Sequence, residues 1–64
     1  MTPKYDVGDI VYSFFNKQNF MIVERYMSYD PALLSHKYNL LSLDTGKYML
    51  YYCVDMDSNS KLVA

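Results

Sequence analysis

The chain has 64 residues, 52% of them hydrophobic, with six Lys and Arg against seven Asp and Glu for a net charge of −1. That apolar content excludes a disordered chain, and so few, scattered cations argue against a general binder of nucleic-acid phosphates. A single domain over residues 1–64 is expected. It buries only about 60% of the surface its unfolded chain exposes, so its stability margin is thin.

The lead-in Tyr5-Asp-Val-Gly8 runs into a first predicted strand over residues 9–15, and Asn16-Lys-Gln-Asn19 is a polar turn. Residues 20–27 follow as a second strand, rich in side chains that suit a pleated surface. The longest connection is 28–36. There Asp30 is placed to cap a short helical turn, Pro31 suits its first position, and Ala32, Leu33 and Leu34 continue it. Apolar Leu33 and Leu34 on a loop are expected either to plug an open end of the fold or to meet a partner.

Between Tyr38 and Val54 two strongly apolar runs flank Asp44-Thr45-Gly46. This is a β-hairpin signal, because Gly46 takes positive φ without steric cost and an Asp at such a turn can bond its own backbone. Residues 55–60 read as a polar turn and 61–64 as a short closing strand. Five short strands on so few residues cannot build a two-sheet sandwich. Curling one sheet into a small barrel hides the edges and gives one core. No apolar pattern sustains a 3.6-residue period, so long helices are not expected.

The longest apolar run, residues 48–54, is far below the roughly 20 residues that span a bilayer. The opening Met-Thr-Pro-Lys-Tyr-Asp lacks the apolar stretch of a signal peptide. With Cys53 as the single cysteine, no internal disulfide can form. A soluble cytoplasmic protein with no membrane contact is the expectation.

The chemistry-bearing residues do not assemble into a reaction centre. His36 and Cys53 are the only soft metal ligands, and two ligands make no zinc site. His36, beside Lys37 on a loop, is expected to be solvated, and Cys53, between Tyr52 and Val54, to be a small buried hydrophobe. Asp55-x-Asp57-x-Asn59 begins like a calcium loop, but Ser60 stands where glycine is required. The acidic residues are dispersed at turns, and Gly8 and Gly46 cannot form a phosphate cradle. No catalysis, no cofactor and no metal are expected.

Val7-Gly8-Asp9-Ile10-Val11, then Phe20-Met21-Ile22-Val23-Glu24 and the Asp44-Thr45-Gly46 hairpin, resemble the small SH3-like barrel proteins of bacteria and tailed phages. The resemblance spans nearly the whole chain and implies an all-β, five-stranded SH3-like barrel with a short helical turn in the long loop. It also implies a turn at Gly8-Asp9 and a single 3₁₀ turn near residues 55–60. It transfers architecture and no functional residues, since many functions sit on this fold.

By analogy with that opening, Val7, Val11, Met21 and Val23 point inward. Strict alternation then turns Ile10, Tyr12, Phe14, Phe20, Ile22 and Tyr26 outward, too much apolar surface for a solvated face. A β-bulge could switch the parity, the long loop or a terminus could cover the face, or the face could be an interface. Alternation around Leu40 to Leu43 is ambiguous.

The function expected from this reading is a non-enzymatic protein–protein interaction module. Its candidate contact residues are Tyr12, Phe14, Ile22, Tyr26, Tyr29, Leu33 and Leu34, since aromatic anchors dominate interface energetics. The phage resemblance implies an accessory or regulatory protein in the host cytoplasm, acting on a host protein. Two alternatives stand beside it. One is a nucleic-acid-binding, KOW-like barrel using Arg25, Lys37, Lys47 and Lys61 with tyrosines for base stacking. The other is a self-assembling subunit, a homo-oligomer closed by the apolar face.

Overall fold

The structure is a computed structural model that describes residues 3–27 and 36–64. Five strands form one antiparallel sheet in the order β4-β3-β2-β1-β5. They are β1 (Ile10–Ser13), β2 (Gln18–Tyr26), β3 (Lys37–Ser42), β4 (Tyr48–Tyr52) and β5 (Ser60–Leu62), with one helix, α1 (Cys53–Ser58), between the last two. The first and last strands are therefore neighbours. No ladder joins β4 to β5 among the described residues, and α1 crosses from one to the other.

The inward face starts at β1, where Val11 and Ser13 are buried, and continues through Phe20 and Ile22 of β2, both 0% exposed. On β3 it takes Tyr38, Leu40 and Ser42. Met49 and Tyr51 of β4 pack against it, and Tyr5, Cys53 and Met56 complete the core. The register pairs Phe20 with Ser42 and Ile22 with Leu40. Residues opposite one another share a face, so this pairing settles the parity around Leu40 to Leu43 with Leu41 and Leu43 outward.

The expected facing of β2 is corrected by this arrangement. Phe20 and Ile22 point in, and Met21 and Val23 point away, because the whole run Phe20-Met21-Ile22-Val23 is apolar and only its pairing with β3 chooses a side. Val7 is also exposed, lying in the turn before β1 rather than in the core. Val11 inward and Ile10 and Tyr12 outward agree with expectation.

A β-bulge interrupts the β2–β3 register between Ile22 and Glu24, leaving Val23 as the extra residue. Beyond it Arg25 pairs with Tyr38 on the core side and Tyr26 with Lys37 on the outer side. Arg25 thereby reaches the Tyr5 carbonyl and the Asp6 carboxylate, each at 3.0 Å, and covers one end of the core.

Three inward positions at strand ends carry serines, each hydroxyl tying a turn. Ser42 Oγ donates to Gln18 Oε1 at 2.9 Å and accepts from the Asp44 and Thr45 amides at 3.3 and 3.1 Å. Ser13 Oγ accepts from the Asn16 amide and side chain, and Ser60 Oγ meets the Tyr5 hydroxyl and the Met56 carbonyl. A buried hydroxyl with its donor and acceptor sites used costs little. In the hairpin, Ser42 does what was expected of Asp44, whose carboxylate instead accepts from the Asn19 amide at 2.9 Å.

Two glycines hold left-handed turns, Gly8 at φ +96° and Gly46 at φ +75°. The Gly8 amide donates to the Ile22 carbonyl at 2.8 Å, fastening the turn to β2. A Cβ at Gly8 meets no atom within 4 Å, so its cost is conformational alone. Gly8→Ala is expected to lose about 1–2 kcal/mol in urea unfolding, and an unchanged midpoint would contradict that conformation.

The polar turn expected over residues 55–60 is instead the six-residue helix α1, with Cys53 opening it rather than ending a strand. Cys53 and Met56 face the core. The expected helical turn at Asp30 to Leu34 lies outside the described residues.

Candidate protein-binding face

The face opposite the core carries a continuous apolar row. Ile10 pairs with Met21, Met21 with Leu41, and Leu41 with Tyr48, so the row crosses β1, β2, β3 and β4. Ile10, Met21 and Leu41 are half-buried by their neighbours, while Tyr48 is 65% exposed at the sheet edge. The next outward position on β4 is Leu50, 58% exposed and opposite Asn39.

A second row runs Tyr26, Lys37, Tyr52. There the Lys37 ammonium sits over the Tyr52 ring, 5.0 Å from its centroid, a contact that orients an exposed ring. Hydrogen bonding with Glu24 raises the Tyr26 hydroxyl above its ordinary pKa, with desolvation next in effect. At the other end of the face Tyr12 meets Phe14 edge-on at 5.8 Å. A groove of about 400 Å³ continues past Tyr12 between Asn19, Lys61, Leu62 and Val63.

Of the residues expected to make contacts, Tyr12 and Tyr26 lie on this face, and Phe14 is exposed in the β1–β2 turn. Ile22 does not belong with them: it is fully buried and pairs with Leu40 in the core. Tyr29, Leu33 and Leu34 lie outside the described residues. Sequence reasoning missed Met21, Leu41, Tyr48, Leu50 and Tyr52. Alternation along β4 was the available signal for the last three, since the inward Met49 and Tyr51 leave them outward.

The outer face is not covered by residues 3–6, which close the core side. There the Tyr38 hydroxyl accepts from the Tyr5 amide at 3.0 Å and donates to Asp57 Oδ1 at 2.6 Å. Asp57 Oδ2 accepts from the Lys4 amide at 3.1 Å. Asp57 is thus a structural anchor between the lead-in and β3.

Burial pushes the Cys53 thiol up to about 11, and the Asp57 charge adds to it, so at neutral pH it is a protonated core group rather than a nucleophile. His36, expected in solvent, is buried, and its carbonyl accepts from the Cys53 amide at 2.8 Å. Among the described residues no three His, Cys, Asp or Glu side chains group as metal ligands, and no helix is long and apolar enough to cross a membrane. The four cations expected to frame a basic strip do not share a face, since the bulge puts Arg25 on the core side and Lys37 on the outer side.

No protein-family model matches this chain, and comparison with curated proteins and with solved structures gives no significant match.

Proposed function

We propose that the protein is a non-enzymatic interaction module that binds another protein through the outer face of its sheet. The observation that carries this reading is the row Ile10, Met21, Leu41, Tyr48, which sets apolar side chains where a solvated antiparallel face alternates to polar ones. Contiguous apolar surface of this kind marks binding sites. The exposed aromatics Tyr26, Tyr48 and Tyr52 at its margin are the residue type that anchors interfaces.

The test is affinity capture from the native host cell with the wild type and with Met21→Glu and Leu41→Glu separately, each first checked by circular dichroism to be folded. The expected result is one protein retained by the wild type at both low and high salt and lost with either variant. Capture that survives both substitutions, or a captured nucleic acid whose retention falls steeply with salt, overturns the reading.

A further inference from the structure

We infer that the protein forms a two-fold dimer by pairing β4 of one copy with β4 of a second copy. This inference concerns the edge of the sheet, which shares Tyr48, Leu50 and Tyr52 with the outer face, and it does not rest on what that face binds. Among the described residues strand β4 lies at the end of the strand order, beside β3 alone. The Ser42 amide donates to the Lys47 carbonyl and the Cys53 amide to the His36 carbonyl, both at 2.8 Å. In an antiparallel ladder such pairs recur at every second residue. Lys47, Met49, Tyr51 and Cys53 therefore direct their backbone groups to β3. Tyr48, Leu50 and Tyr52 direct theirs away from it.

Sheet edges of this kind are normally blunted by charge, proline, a bulge or brevity. The opposite edge, β5, has three residues and carries Lys61. Strand β4 is Tyr-Met-Leu-Tyr-Tyr, with no charge, no proline and no register shift. Its outward-directed residues read Tyr-Leu-Tyr from either end, which is what a two-fold axis requires of a strand paired with its own copy. With the axis at Leu50, each Leu50 faces its counterpart and each Tyr48 faces the other copy's Tyr52, an aromatic cross-strand pair on the exposed face. Nothing charged on the strand opposes the approach. The carbonyl of Tyr52 opens α1 as the N-cap residue, so that residue offers the partner its amide alone.

A strand pair of this length makes a small interface, and the dimer is expected to dissociate on dilution. Sedimentation equilibrium across a wide concentration range should show the wild-type mass rising from 7.6 kDa toward twice that value. Leu50→Pro removes an amide hydrogen that points away from β3, so the fold survives. It takes both central hydrogen bonds from the dimer and should raise the half-dimer concentration at least about tenfold. Leu50→Lys keeps every backbone group and places like charges opposite one another, with the same expected direction.

Register is read by cross-linking in a Cys53→Ala background. Cysteines facing each other in a hydrogen-bonded pair lie about 5.5 Å apart at Cα, within disulfide reach. Under mild oxidation Leu50→Cys should link to itself, whereas Tyr48→Cys and Tyr52→Cys should link only when mixed. A wild type that keeps the one-chain mass at every concentration, or self-linking of all three cysteine variants alike, overturns the inference.

Discussion

Phe20→Ala is expected to unfold the protein near physiological temperature. Emptying a fully buried phenylalanine site costs about 3–5 kcal/mol, transfer and cavity terms together. At roughly 0.05–0.15 kcal/mol per residue, a chain of this size holds only about 3–10 kcal/mol in all. Ile22→Ala should cost about 2–5 kcal/mol by the same mechanism. Met21→Ala, at the intervening position on the outer face, should cost under about 1.5 kcal/mol. The comparison is made by urea unfolding followed by circular dichroism. It tests the facing of β2 directly: if Met21→Ala is the damaging change and Phe20→Ala and Ile22→Ala are tolerated, the strand faces the other way.

Raising the pH should destabilise the fold well before general base damage. Two buried groups carry the effect. Cys53 titrates ordinarily at 9.0 and is pushed up to about 11, chiefly by burial and then by the Asp57 charge. Tyr38 is raised above its ordinary 10.0, first by burial and then because its hydroxyl donates to Asp57. In both cases the unfolded chain releases its proton at lower pH than the folded one. Above the ordinary values the unfolded state therefore binds fewer protons, and stability falls as pH rises.

Their contribution is intact below about pH 9 and is lost progressively from there to about 11 for Cys53, with Tyr38 extending the fall beyond pH 10. Urea midpoints at pH 7.5 and 10.5 should show the loss. Cys53→Ala should flatten the part between pH 9 and 10, where the thiol acts first. Equal slopes with and without the thiol would show that Cys53 carries none of it.

Much of the architecture is legible in the residues themselves. Gly46 between two apolar runs marks the hairpin, and the run Ile10-Val11-Tyr12 marks β1, which ends at Ser13 rather than running on to residue 15. What is not legible has a common cause. Phe20, Met21, Ile22 and Val23 are apolar on both sides of the strand, so alternation carries no parity signal there, and only the pairing with Leu40 and Ser42 decides. A bulge at Val23 has no residue signature such as glycine. Helix α1 is too short and too polar to show a period, and its stability comes from Cys53 and Met56 meeting the core.

The candidate face suffered from the same ambiguity. The sequence shows more apolar residues than one buried face can take, but alternation alone puts Ile22 outward, whereas its pairing with Leu40 turns it into the core. The buried serines escaped for a different reason. A hydroxyl at an inward position reads as surface until the turn amides that it satisfies are known.

The link from Tyr5 to Ser60 and Met56 also constrains how the molecule comes into being. Those partners stand 55 positions apart, and β1 awaits β5 in the same way. Both contacts join segments far apart in the chain, so a folding molecule holds a meander of strands with its greasy interior open until those segments meet. Distant closures of this sort slow folding and prolong the exposure of unpaired edges. Refolding from denaturant should therefore be vulnerable to aggregation before these contacts close, and raising the protein concentration during refolding should lower the soluble yield.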